Sequence, residues 1–303
     1  MTANYIDLQV NGFAGVDFNA DGVSTPDIRR ACEAMKLGGV SSFLATITTE
    51  FLPNMCGRIR RIIDARNEDS FIASIITGIH VEGPFISPIH GYVGAHPVDG
   101  VVIPNIEDAA KLINAGDGLV KLITLAPECD ENSTITRYLV NAGIRVAAGH
   151  TDASIDQLKA ACDAGLSLFS HLGNGCPATM HRHDNIVQRA LSLRNYLQYT
   201  FITDGAHIPF FALRNYIDLV GIDRAIIVTD AMSAAGLGPG RYRIGRMEVE
   251  VGEDQVARQP GSTLLAGAAV TMQQAAENLK EKLGFSHEEI QEMTSVNPEK
   301  YVN

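Results

Sequence analysis

The sequence predicts an α/β fold, a single (β/α)8 barrel of the TIM type running over residues 1–303, with a small β-hairpin inserted after strand eight. Three observations predict it. Eight short β-branched runs recur along the chain, and a helix-like segment follows most of them. The length, 303 residues, suits one such barrel, which needs about 250. Hydrophobic residues make up 46% and charged residues only 19%, a balance that fits parallel strands buried on both faces.

In chain order the predicted strands are Tyr5–Val10, Ser42–Thr48, Ser74–Val81, Val120–Leu125, Arg145–Ala148, Ser167–Ser170, Tyr199–Thr203 and Ala225–Thr229. Helix signals fall between them. Thr25-Pro26-Asp27 supplies a cap, an early proline and an early acid, and Gly38-Gly39 ends that helix. Asn132-Ser133 starts a helix that Gly143 ends, Thr151–Ser154 caps another that stops at Gly165, and Pro209 opens the one after strand seven. Residues 241–258 alternate with period two around a Gly-Glu-Asp turn, the pattern of an inserted antiparallel hairpin. Helix returns from Gly267, and Ser286–Met293 forms a last short one. No internal repeat, linker or low-complexity tract interrupts this order.

Composition excludes several function classes. A formal net charge of −11 repels nucleic-acid phosphates and anionic membranes, and no basic stripe reverses it. The N-terminus lacks the basic and apolar regions of a signal peptide, and no apolar run approaches membrane-spanning length. Five scattered cysteines with no CxxC pair read as reduced thiols, which points to the cytoplasm. Cys176 lies near the predicted site but has no base beside it in sequence, so it reads as a bystander.

Chemistry in barrels of this kind sits at the carboxyl ends of the strands. Those ends carry Gln9 and Asn11, Thr48, His80 and Glu82, Glu128, His150, His171, Asp204 and Asp230. A single histidine after a β-run is more often structural than functional; the joint placement on one face is what carries weight. Glu82, His150 and His171 offer two imidazoles and one carboxylate with room for water, the ligand set of a catalytic zinc. The same donors also suit Fe²⁺, Co²⁺ or Mn²⁺. Asp230 ends the last strand of the ring, where a carboxylate can take a proton from water and return it to a leaving amine; a helix cap or ion pair is its bland alternative.

The ordered motifs then carry a resemblance. They are Ile-Asp-Leu-Gln-Val-Asn-Gly (6–12), Gly-Ile-His-Val-Glu-Gly-Pro-Phe (78–85), Gly-Ala-His (94–96), Leu-Ala-Pro-Glu (125–128), Ala-Gly-His-Thr (148–151), Ser-His-Leu-Gly-Asn (170–174), Thr-Asp-Gly-Ala-His (203–207), Val-Thr-Asp-Ala (228–231) and Gly-Ser-Thr-Leu-Leu-Ala-Gly (261–267). With them the chain resembles the amidohydrolase superfamily and, within it, the deacetylases of N-acetyl amino sugar phosphates, from Ile6 to about Pro298. The resemblance implies removal of the acetyl group of N-acetylglucosamine 6-phosphate, giving acetate and the amino sugar phosphate. It implies one divalent metal on Glu82, His150 and His171, Asp230 as general base and then acid, and His96 polarising the acetamide carbonyl. His207, Asn174 and the Gly175 backbone would line the sugar-phosphate pocket. Arg182 would reach the phosphate held by a neighbouring subunit, which implies a homodimer. His207 also suits a capping role before Pro209, and Arg182 a solvated one.

Three departures qualify the resemblance. Many amidohydrolases place His-x-His in strand one and build a second metal position there; this chain has Gln9-Val10-Asn11, whose amides are poor zinc ligands. The stretches before Asp7 and after Pro298 leave no room for the β-sandwich usual in these deacetylases, so the inserted hairpin is its only expected remnant. Arg182 sits in Met180-His181-Arg182-His183-Asp184-Asn185 rather than before an acidic-proline-glycine turn. Two other readings therefore stand beside deacetylation of the phosphorylated sugar. One is hydrolysis of a different amide, such as N-acetylgalactosamine 6-phosphate, an unphosphorylated sugar, a cyclic amide or an N-acyl amino acid. The other is a sugar-binding barrel without catalysis.

Overall fold

Eight parallel strands pair in sequence order. They are β1 (Tyr5–Val10), β2 (Val40–Thr48), β3 (Ile76–Glu82), β4 (Val120–Leu125), β5 (Arg145–Ala148), β6 (Leu168–Phe169), β7 (Gln198–Ile202) and β8 (Ala225–Val228). This computed structural model describes residues 4–262 and 264–302, so Met1–Ala3, Asn303 and Thr263 of the Gly261–Gly267 motif lie outside it. Pairing is parallel at every step from β1·β2 to β7·β8. Nearly every residue of these strands is buried, including polar ones such as Asp7, Gln9 and Thr124, as parallel strands covered on both faces require.

The ring closes between β1 and β8 by a different device. Backbone N–H groups of Asn11 and Gly12 donate to the Ala231 carbonyl at 2.7 and 3.1 Å. Below them the buried Asp7 carboxylate accepts from the Thr229 hydroxyl at 2.6 Å and from the amides of Thr229 and Gln9, both at 3.2 Å. A side chain thus supplies hydrogen bonds that a ladder supplies elsewhere.

Several boundaries differ from expectation, each for a local reason. Ser70–Ile75 is a short helix, so β3 begins at Ile76 and not at Ser74. The Asp69 carboxylate caps it, accepting from the amides of Phe71 and Ile72, which outweighs the β preference of its isoleucines. The first helix, Thr25–Leu37, is capped by Ser24 in a capping box with Asp27, one residue before the expected cap. Helix Thr134–Asn141 follows Asn132 and Ser133 as predicted, but both have left-handed backbone and the cap is Asp130, whose carboxylate binds the Ile135 and Thr136 amides at 2.8 Å. Helix Met272–Glu281 starts five residues after Gly267, capped by Thr271.

Residues 241–258 form a three-stranded antiparallel sheet rather than a lone hairpin: β9 (Gly240–Ile244), β10 (Met247–Val251) and β11 (Ala257–Arg258). The tight turn lies at Gly245-Arg246, while Gly252-Glu253-Asp254 begins the second connection. That first turn docks on the barrel mouth. The Gly245 amide donates to Asp17 at 2.6 Å, and the Arg246 guanidinium reaches Glu50 (2.9 Å, two nitrogens) and Asp99 (2.8 Å). Loops after β1, β2 and β3 are therefore tied to one point of the insert.

Candidate active site

Polar residues thread the inside of the barrel in layers. His80, two residues short of the end of β3, bonds the Thr124 hydroxyl at 2.8 Å, which bonds Ser170 at 2.8 Å. Burial holds His80 at about 4, hence neutral. His80 is thus a packed structural histidine one layer below the mouth. Glu128 is likewise absorbed locally: it accepts from the Thr151 hydroxyl and from the Asp152 amide.

One layer up, three donors converge. The nearest ligand atoms of Glu82, His150 and His171 all lie within 4.8 Å of one another. His171 Nε2 is 2.8 Å and His150 Nε2 3.3 Å from Glu82 Oε1. Glu82 is the last residue of β3, while His150 and His171 stand two residues beyond β5 and β6. His150, His171 and Asp230 each have positive φ, at 51°, 31° and 51°. Such backbone costs about 1–3 kcal/mol per residue and tends to cluster at functional sites.

The site fits a cation. His150 Nδ1 faces the Tyr92 carbonyl at 2.9 Å, a backbone acceptor that favours the proton on that nitrogen and turns Nε2 toward Glu82. Burial alone would raise Glu82, but its contacts with His150 and His171 override it and hold the carboxyl well below its usual range. His171 is raised because its contact with Glu82 outweighs its burial. His96 Nε2 lies 3.2 Å from His150 Nε2 and 3.7 Å from Glu82 Oε2, and burial holds the ring at about 3, hence neutral. An ionised carboxylate amid three buried imidazoles is the donor set of a divalent metal.

Asp230 completes the ring from the β8 side. Gln9 Nε2 donates to its Oδ1 at 3.0 Å and to Glu82 Oε1 at 2.9 Å, and Asn11 Nδ2 donates to the same Oδ1 at 2.7 Å. Burial and then the Glu82 charge lift the Asp230 carboxyl to about 6.

The remaining predicted residues separate. His207 is nearly buried and its Nδ1 bonds Asp204 at 2.7 Å, a pair that holds the Asp204 carboxyl below its usual range against the effect of burial. Asn174 folds back on the His171 carbonyl at 3.2 Å. Gly175 packs on His150: a Cβ there would stand 3.0 Å from Nδ1, and its φ is +60°. Gly94, in the His96 loop, faces the same ring: a Cβ there would stand 3.0 Å from it. Arg182 is exposed in a loop whose turn is held by His181 Nδ1, which accepts from the Asp184 amide at 2.9 Å. Asp184 binds Arg189 at 2.6 Å. Sequence reasoning missed the Tyr92 carbonyl, for which no residue-type signal exists, and the packing role of Gly94, which the Gly94-Ala95-His96 motif contained. Cys176 is half-buried, and burial pushes its thiol up to about 11, consistent with an unreactive residue.

A parallel eight-stranded barrel with a carboxylate and two imidazoles converging at its carboxyl mouth defines a class, the amidohydrolases. No family model matches the chain. It is 32% identical over 297 residues to the N-acetylglucosamine-6-phosphate deacetylase of Bacillus subtilis (strain 168), covering 97% of this chain and 73% of that one. It is 31% identical to the N-acetylgalactosamine-6-phosphate deacetylase of Escherichia coli O157:H7, covering 97% and 76%. The N-acetyl-D-glucosamine-6-phosphate deacetylase of Mycobacterium smegmatis, solved as an aspartate-to-alanine mutant in complex with N-acetyl-D-glucosamine-6-phosphate, superposes with a TM-score of 0.88 at 28% identity over 99% of this chain and 77% of that one. The Thermotoga maritima N-acetylglucosamine-6-phosphate deacetylase gives 0.87 at 27%, over 99% and 78%. The chain belongs to the N-acetylglucosamine-6-phosphate deacetylase family. Among the described residues no helix is long and apolar enough to cross a membrane.

Proposed function

We propose that the protein hydrolyses the acetamide of N-acetylglucosamine 6-phosphate, releasing acetate and glucosamine 6-phosphate. The observation that carries this reading is the meeting of Glu82, His150 and His171 within 4.8 Å at one end of the barrel, with Asp230 linked to Glu82 through the Gln9 amide. A divalent ion held by that triad, zinc in our reading, supplies Lewis acidity and activates water. Asp230 takes a proton from the attacking water as the C–O bond forms, then delivers it to the nitrogen as the C–N bond breaks. His96, neutral through burial, offers a ring N–H to the carbonyl oxygen as charge grows on it.

Substrate recognition falls to the loops. His207, with Nδ1 engaged by Asp204, has Nε2 available for a sugar hydroxyl. Asn174 and the Gly175 backbone line the same side. Arg182, exposed and outside the triad, is assigned to the phosphate of a substrate bound in a second copy, which makes a homodimer the working unit. Barrel and insert act as one domain, and the enzyme works in the cytoplasm.

The test is acetate release from four compounds: N-acetylglucosamine 6-phosphate, N-acetylgalactosamine 6-phosphate and the two unphosphorylated sugars. Turnover should be fastest on the first; activity on none would sink the assignment. An Asp230→Asn variant should keep its metal and lose kcat by about a thousandfold or more.

A further inference from the structure

We infer that Gln9 and Asn11 are positioning residues for Asp230: their two amides hold Oδ1, so that Oδ2 is the oxygen that receives and returns the proton. This rests on the reading of Asp230 as the base. Both amide groups come from the β1 end, both residues are about 1% exposed, and both donate to the same oxygen, at 3.0 and 2.7 Å. A carboxylate oxygen has two lone-pair positions, and here two N–H donors fill them. Among the described residues no hydrogen bond reaches Oδ2. The basic position that remains is therefore on Oδ2.

The orientation of the Gln9 amide is determined by its surroundings. One NH2 group bridges Asp230 Oδ1 and Glu82 Oε1, at 3.0 and 2.9 Å. Flipping the amide would press its oxygen against two carboxylates. One neutral group thus sets the spacing between Asp230 and a ligand carboxylate without adding charge. Asn11 bears a cost for its part. Its Oδ1 is buried with no partner among the described residues, whereas a residue needed only to fill space would be apolar. Its amide is retained by what Nδ2 does, which is to grip Asp230.

The atoms balance simply. Water gives a proton to Asp230 Oδ2 while its oxygen bonds to the acetyl carbon. That proton leaves Oδ2 for the amine nitrogen as the C–N bond breaks, and Oδ1 keeps both donors throughout.

Asn11→Leu is the cleaner probe, because Gln9 also touches Glu82. In the metal-loaded enzyme, kcat should fall about a hundredfold with KM changed less than about threefold, the size expected for a misplaced base, and metal per chain should stay at the parental value. The effect should vanish in an Asp230→Asn background, since the amide acts only through that carboxylate; a further hundredfold loss there would overturn the inference. A second readout needs no substrate. In a crystal structure of metal-loaded Asn11→Leu the Asp230 carboxylate should rotate while Glu82, His150 and His171 stay in place. If it keeps its parental orientation, the inference fails. If the parental enzyme releases no acetate but the carboxylate does rotate, the positioning stands and the proposed reaction falls.

Discussion

Replacing Asp7 by asparagine tests the barrel seam through its dependence on pH. Asp7 is fully buried, and burial pushes its carboxyl from 3.8 up to about 7, against the lowering effect of its bonds to Thr229 and Gln9. The folded state therefore holds a proton that the unfolded chain has already released. Below pH 3.8 both states are protonated and the group is neutral to stability in either. Between 3.8 and about 7 the folded state loses relative stability as pH rises, and the loss is complete above 7. A rise from 3.8 to about 7 corresponds to an energy on the order of 4 kcal/mol. Asparagine keeps an oxygen for the Thr229 and Gln9 amides, and its NH2 can donate to the Thr229 hydroxyl, which turns to the Gln9 carbonyl 3.4 Å away. Because asparagine does not titrate, D7N should gain on the parent by several degrees of Tm between pH 4.5 and 8. Paired denaturation curves at each pH give the difference and cancel every other titrating group. A difference that stays constant across that range would refute a protonated Asp7. D7A, which removes the acceptors altogether, should be less stable than D7N at every pH.

Other predictions concern the mouth. Gly175→Ala and Gly94→Ala each set a Cβ 3.0 Å from the His150 ring, in backbone that disfavours it by about 1–2 kcal/mol. Metal affinity by chelator competition should fall about tenfold; unchanged affinity would mean the ring is free to shift. Arg246→Ala leaves the buried Glu50 carboxylate with Arg58 at 3.8 Å as its nearest cation, a cost of about 1–3 kcal/mol. Amide exchange over Val98–Val101 should speed up, and exchange at the parental rate would show that the insert does not hold the His96 loop. Cys176, with its thiol near 11, should be less than about one part in a thousand thiolate at pH 7.5. Cys176→Ala should keep full activity, and a large loss would give that thiol a role it lacks here.

The barrel was legible because its strands are almost wholly buried, so the β-branched and apolar runs at Tyr5–Val10, Val120–Leu125 and Arg145–Ala148 match the strands residue for residue. Boundaries failed where a single side chain decided them: no periodicity shows that Asp69 will cap a helix across Ser70–Ile75 or that Asp130 will cap one four residues on. The triad was legible from strand ends, yet strand-end position alone did not separate Glu82 from His80, which points one layer deeper, or Asp230 from Glu128, which is spent on Thr151 and Asp152. Backbone partners such as the Tyr92 carbonyl leave no trace in residue type. Gln9 and Asn11 were visible as a departure from a metal-binding pattern; their shared grip on one oxygen of Asp230 exists only in three dimensions.

The seam has a further consequence for how the chain reaches this shape. Asp7 and Thr229, which join the first barrel strand to the last, are 222 residues apart. During synthesis from the N-terminus, β1 waits as an unpaired edge on one side of the growing sheet until residues 225–231 emerge. Loop closure over that distance is slow. Until it occurs, the metal ligands and Asp230 belong to an open, curling sheet, and a chain cut before β8 would carry Glu82, His150 and His171 beside two adhesive edges. Addition of the eighth strand is thus the step that makes the nascent protein both monodisperse and chemically complete.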